Sequence, residues 1–142
     1  MNYEEYLSLL DSLLIKNDEE AKQKLLDSNL NPELYHMVEP KIANMIQEKY
    51  VKAINSITSE ISNIFSDKYL MEQKLVNFKK SVLFVYDLTN LKELSDDTRK
   101  VMQDMIKEET ENVYNILIKK ANQIDPTGVL ALTITNSKVK WR

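Results

Sequence analysis

Only one glycine occurs in the 142 residues, Gly128, and it stands where a helix-patterned body gives way to a short tail. Glycine reaches positive φ without strain and lets the backbone approach a ligand closely. Phosphate-cradling loops and nucleophile elbows are built on such positions. A chain with no glycine before residue 128 has little means of making either. Most nucleotide-binding and hydrolase architectures are thereby excluded, and helices joined by Asn, Asp, Ser and Pro turns remain.

The apolar spacing agrees. Tyr3, Tyr6, Leu7, Leu10, Leu13 and Leu14 lie on one face of a helix predicted over 3–15. Asp18 is set to cap a short second helix over 19–29, with Glu19 and Glu20 in its first turn. Asn31-Pro32-Glu33 starts a third, which Glu39-Pro40 is expected to bend or restart. From there Ile42, Ile46, Tyr50, Ala53, Ile57, Ile61 and Ile64 follow an 11-residue repeat, which suits a nearly straight helix in a bundle. A stop at Ser66-Asp67 precedes a helix over 68–90, and Ser95-Asp96-Asp97 opens the last one, over 96–124. The run Val82-Leu83-Phe84-Val85-Tyr86 has strand propensity, but no turn residues bound it, so helix is the reading. Its apolar residues face all round, which implies either a central helix or a second, outward apolar surface.

Asp125-Pro126-Thr127-Gly128 fits a type I turn. Beyond it Leu130, Leu132 and Ile134 alternate with Ala131, Thr133 and Thr135, and Asn136-Ser137 can turn the chain back toward Lys138-Val139-Lys140-Trp141. A small hairpin is predicted there, needing a surface to lie on. The fold class is therefore all-α: one domain, a bundle of about five helices with a short C-terminal β-prone tail or hairpin.

Charge and cysteine content narrow the function. No cysteine is present, so disulfides, thiol catalysis and Cys-based metal sites are excluded. Residues 1–66 carry 6 basic and 11 acidic side chains, residues 67–125 carry 10 and 11, and residues 126–142 carry 3 and 0. An acidic body lacks the basic stripe that nucleic-acid binding needs, and the tail's Lys138, Lys140 and Arg142 are too few to supply one. No signal peptide or membrane span is visible in the sequence, which makes the cytoplasm the expected compartment. Seventeen lysines against two arginines, with thirteen asparagines, point to an AT-rich, bacterial or phage-like source.

The features Tyr6-Leu7, Lys16-Asn17-Asp18, Ala21, Asn31-Pro32-Glu33-Leu34-Tyr35, Val38-Glu39-Pro40, Ile42, Ile54 and Glu60 form a hydrophobic and turn-like pattern. In that pattern residues 6–60 resemble the helical cap module that precedes the cobalamin-binding domain of corrinoid (B12) proteins. The family's glycine is Ile46 here, its tryptophan position falls at Lys49, and its closing Glu-His pair falls at Ser59-Glu60. The partner domain's Asp-x-His-x-x-Gly motif is absent, since the one histidine is His36. The resemblance thus implies a four-helix arrangement for packing or sensing and carries no cobalamin ligand, so no cofactor is expected.

Candidate reactive groups each have a plainer explanation. His36 has no second His or Cys to complete a metal site. Asp104, Glu108 and Glu111 have the i, i+4, i+7 spacing of helical Mg²⁺ ligands, yet they point away from the Val101, Met105 and Ile116 face, with Lys100 and Lys107 among them. Asp96 and Asp97 serve a helix start. Tyr3, Tyr6, Tyr50 and Tyr86 lie on or beside apolar stripes, where tyrosine packs its ring in a core or marks an interface. Met102 and Met105 are read as core filler.

The expectation is a non-catalytic regulatory or adaptor protein that contacts another protein, or its own copy as a homodimer. The contact would use Val82, Phe84 and Tyr86 together with Leu130, Leu132, Ile134 and Trp141 of the tail. A helical sensor holding an apolar small molecule or lipid is the alternative, and a Mg²⁺-dependent helical nucleotide hydrolase using Glu108 the third.

Overall fold

The computed structural model describes residues 1–141, so Arg142 of the basic tail lies outside the described residues. In chain order the helices are α1 (Tyr3–Ile15), α2 (Glu19–Leu26), a 3₁₀ turn (Pro32–Leu34), α3 (Tyr35–Thr58), α4 (Lys68–Leu88), α5 (Asp96–Ile124) and α6 (Val129–Asn136). Every regular element among the described residues is helical. None of these helices is long and apolar enough to cross a membrane.

The turn chemistry works as local physics dictates. The Asn2 carboxamide oxygen accepts from the Glu5 amide at 2.8 Å, and one Asp18 oxygen accepts from the Glu20 and Ala21 amides at 3.0 and 3.2 Å. Asp67 caps α4 in the same way, through the amides of Tyr69 and Leu70. Pro40 sits inside α3 and does not restart it. As the sixth residue of α3, Pro40 lies beyond the first four, whose amides lack an intrahelical partner, so it forfeits one i→i−4 bond, to the His36 carbonyl, without ending the helix. α3 ends at Thr58, before the expected stop, and a series of tight turns carries the chain on to Asp67.

The chain forms two compact units, residues 1–50 with 84–104 and residues 51–83 with 105–142, and α3, α4 and α5 each contribute to both. The first buries Tyr6, Leu10, Leu13, Leu25, Val38, Ile42, Ile46, Phe84 and Leu88. The second buries Ile57, Ile64, Met71, Leu75, Phe78, Val82, Val113, Leu117 and Ile134. The 11-residue repeat supplies core positions in each as far as Ile57; Ile61 and Ile64 lie beyond the end of α3, Ile61 half-buried and Ile64 buried from the turns that follow.

The predicted hairpin is absent, and residues 129–136 form α6 instead. Gly128, with φ +85°, closes the Asp125 turn through its amide and makes the left-handed step into the helix. The β-branched residues that read as strand are accommodated because the Thr133 and Thr135 hydroxyls donate to the Val129 and Ala131 carbonyls, at 3.1 and 2.9 Å. Helical steps then separate Leu130, Leu132 and Ile134, which a strand would have kept on one side.

Candidate interaction surfaces

α6 contains no charged residue, and Ile134 is its only buried side chain. Ile134 seats the helix in the second unit, Leu130 is half-buried, and Val129 and Leu132 are each 60% exposed. A shallow groove of about 350 Å³ is lined by Glu72, Leu75 and Val76 of α4 and by Thr133 and Asn136 of α6. The chain end is fastened by Lys138, which pairs with Glu111 at 2.7 Å and lies 5.9 Å from the centre of the Tyr114 ring. Tyr114 meets Phe78 edge-to-face at 5.5 Å, and Val139 is buried. Burial, the largest influence, together with the nearby Glu111 charge outweighs the Val139 backbone contact and pushes the Tyr114 hydroxyl up to about 12. Trp141 is half-buried.

The other half of the expected contact surface is corrected. Val82, Phe84 and Tyr86 are no more than 4% exposed, so these three side chains are core, and of the run only Leu83 is half-buried. Its unusual width has a specific cause in the first unit. The Lys22 and Lys49 ammonium groups lie 4.6 and 5.5 Å from the centre of the Phe84 ring. The Lys22 head also pairs with Asp87 at 2.9 Å and Glu19 at 3.0 Å, while Lys49 donates to the Asn17 side chain at 2.7 Å. An aromatic face is therefore needed where a helix would ordinarily be polar.

Other charged residues of the first unit act as fasteners. Glu39 of α3 accepts from the Ser95 amide at 3.1 Å and from the Ser95 and Thr98 hydroxyls at 3.2 and 2.9 Å, closing the start of α5. Arg99 donates to the carbonyls of Thr89, Leu91 and Leu94 at 2.8, 2.8 and 3.0 Å, tying down the 89–95 loop. Glu93 is buried with the Ser28 hydroxyl 3.5 Å away, and burial followed by the Glu93 charge raises the Tyr6 hydroxyl above the usual phenol range. Sequence spacing offered no sign of these clamps, although a lone arginine in a lysine-rich body was a usable signal. His36, Asp104, Glu108 and Glu111 are all exposed, and no cluster of three or more His, Cys, Asp or Glu side chains able to hold a metal occurs among the described residues.

A second surface lies between α1 and α3 of the first unit. Leu7, Leu10, Leu14 and Met45 line a groove of about 400 Å³, with Asp11, Lys41 and Glu48 along its edges. The units differ in charge: the first carries 8 basic and 15 acidic side chains, net −7, and the second 11 and 7, net +4. No family model, curated protein or solved structure matches the chain.

Proposed function

We propose that the protein is a non-catalytic regulatory or adaptor module that works through protein–protein contact, with α6 as its contact element. The observation that carries this reading is an uncharged helix whose Val129 and Leu132 are each 60% exposed. Scattered single apolar residues are ordinary on a surface. Two on one short helix without a charge, three residues apart and so neighbours on its surface, are the kind of apolar exposure found at contact sites. Val82, Phe84 and Tyr86 support the scaffold and are not part of the contact.

A photo-reactive amino acid placed at position 132, with position 112 as an exposed polar control, tests this in native cells. Covalent adducts with a second polypeptide at 132 and none at 112 are expected. A chain that remains uncoupled at 132 contradicts the proposal.

The sensor reading is favoured by one observation, the α1–α3 groove, whose roughly 400 Å³ falls in the lower part of the range for small-molecule sites. Native mass spectrometry of the purified protein tests it: a lipid-sized mass carried with the chain supports the reading, and a bare chain removes it.

A further inference from the structure

We infer that the α1–α3 groove of one copy receives α6 of a second copy. This rests on α6 being a contact element, as proposed above, and identifies its partner as the chain itself. Three observations converge.

The dimensions agree. Leu7, Leu10 and Leu14 place an apolar line along α1 that is about 10 Å long, and the eight residues of α6 are about 12 Å long. The chemistry also agrees, since an uncharged helix with two exposed aliphatic side chains meets a trough whose accessible apolar side chains are Leu7 and Leu14, over a floor of the buried Leu10 and Met45.

Charge then chooses among the possible pairings. Placing α6 against α6 brings two units of net +4 together, and placing groove against groove brings together two of net −7. Helix in groove pairs the +4 unit of one copy with the −7 unit of the other. Asp11 and Glu48 outnumber Lys41 at the border of the groove, and the exposed Lys140 follows α6, whose neighbouring α4 surface carries Glu72. Opposite potentials favour encounter and penalise the two like-charged alternatives. The contact is heterologous, using a different surface on each copy. A single such contact leaves one groove and one α6 unfilled, which either meet each other across a two-fold axis in a closed dimer or take up further copies in a ring or filament.

The test is sedimentation velocity on the full chain over a concentration series reaching the millimolar range. Wild type is expected to associate as concentration rises and to dissociate as salt is raised. Leu132→Glu damages the helix, Leu14→Glu damages the groove, and each alone is expected to associate roughly tenfold to a hundredfold more weakly, from the apolar area removed. Asp11→Lys, at an exposed position, repeats the groove arm without altering an apolar side chain, and circular dichroism checks that each variant is folded. Mixed in equal amounts, Leu132→Glu and Leu14→Glu retain one intact groove and one intact helix between them, so they are expected to form a one-to-one dimer and stop there.

A Leu14→Glu sample that dimerises normally by itself means α6 pairs with α6 and overturns the inference. So does wild type that stays monomeric throughout. If it stays monomeric while position 132 couples to a different protein in cells, self-pairing fails and the contact role of α6 stands.

Discussion

Phe84→Ala separates a core role from a surface role for the apolar run of α4 most cleanly. The ring is 4% exposed and lies close to two ammonium groups, at 4.6 and 5.5 Å. Truncating a buried phenylalanine costs about 3–5 kcal/mol, through lost transfer free energy and the cavity left behind. Losing the ring face under Lys22, whose side chain is only 7% exposed, adds about 1 kcal/mol. The expected loss of about 4–6 kcal/mol is a large share of the roughly 5–15 kcal/mol that holds a domain together. With a urea dependence of about 2 kcal/mol per molar, the unfolding midpoint falls by about 2–3 M. Phe84→Leu keeps an apolar side chain and loses the ring face, so its expected loss is about 2 kcal/mol. Val101→Ala, at an exposed position of α5, stays within about 0.5 kcal/mol of wild type. A Phe84→Ala protein within about 1 kcal/mol of wild type by urea denaturation, monitored by circular dichroism, would refute the reasoning and return Phe84 to the surface.

Three further outcomes follow from particular side chains. Asp87→Ala leaves the buried Lys22 ammonium with the exposed Glu19 carboxylate as its remaining counter-charge beside the Phe84 ring, and it is expected to cost about 3 kcal/mol in urea denaturation. The double variant Lys22→Met with Asp87→Ala should recover most of that, and no recovery would show that the charge pair is not the cause. Thr110→Val removes a buried hydroxyl that has no hydrogen-bond partner among the described residues; the thermal midpoint is expected to rise by a few degrees, and a fall would reveal a hidden acceptor. Tyr114, held protonated to about pH 12, gives a folded state that keeps a proton the unfolded chain releases near its ordinary value of about 10. Its stabilisation is complete below pH 10 and declines as pH rises toward 12, by roughly 3 kcal/mol in all. Tyr114→Phe should lack that part of the alkaline slope, and an identical slope in both proteins would sink the assignment.

Most of the helical framework was legible because it depends on short-range rules. Asp18, Asp67 and Ser95 mark helix starts through side-chain oxygens aimed at nearby amides, and the Ile42 to Ile57 part of the repeat marks the buried face of α3. The tail was misread because alternation over Leu130–Thr135 carries the same letters in a strand and in a short helix. The choice was made by the left-handed Gly128 step, by threonine hydroxyls bonding back one turn and by the burial of Ile134, and the last of these is tertiary. The contact surface suffered for the same reason. Val82 to Tyr86 looked too apolar for a single helix face because the lysines that use the Phe84 ring come from distant parts of the chain, residues 22 and 49.

The central claim is that the exposed side of α6 serves contact and not packing. Leu132→Glu measured in two ways on one preparation tests it most directly: the urea midpoint, and coupling from a photo-reactive residue at position 129. The account predicts an unchanged midpoint with coupling lost. A midpoint that drops as far as that of Phe84→Ala, or coupling that persists at the wild-type level, would contradict it.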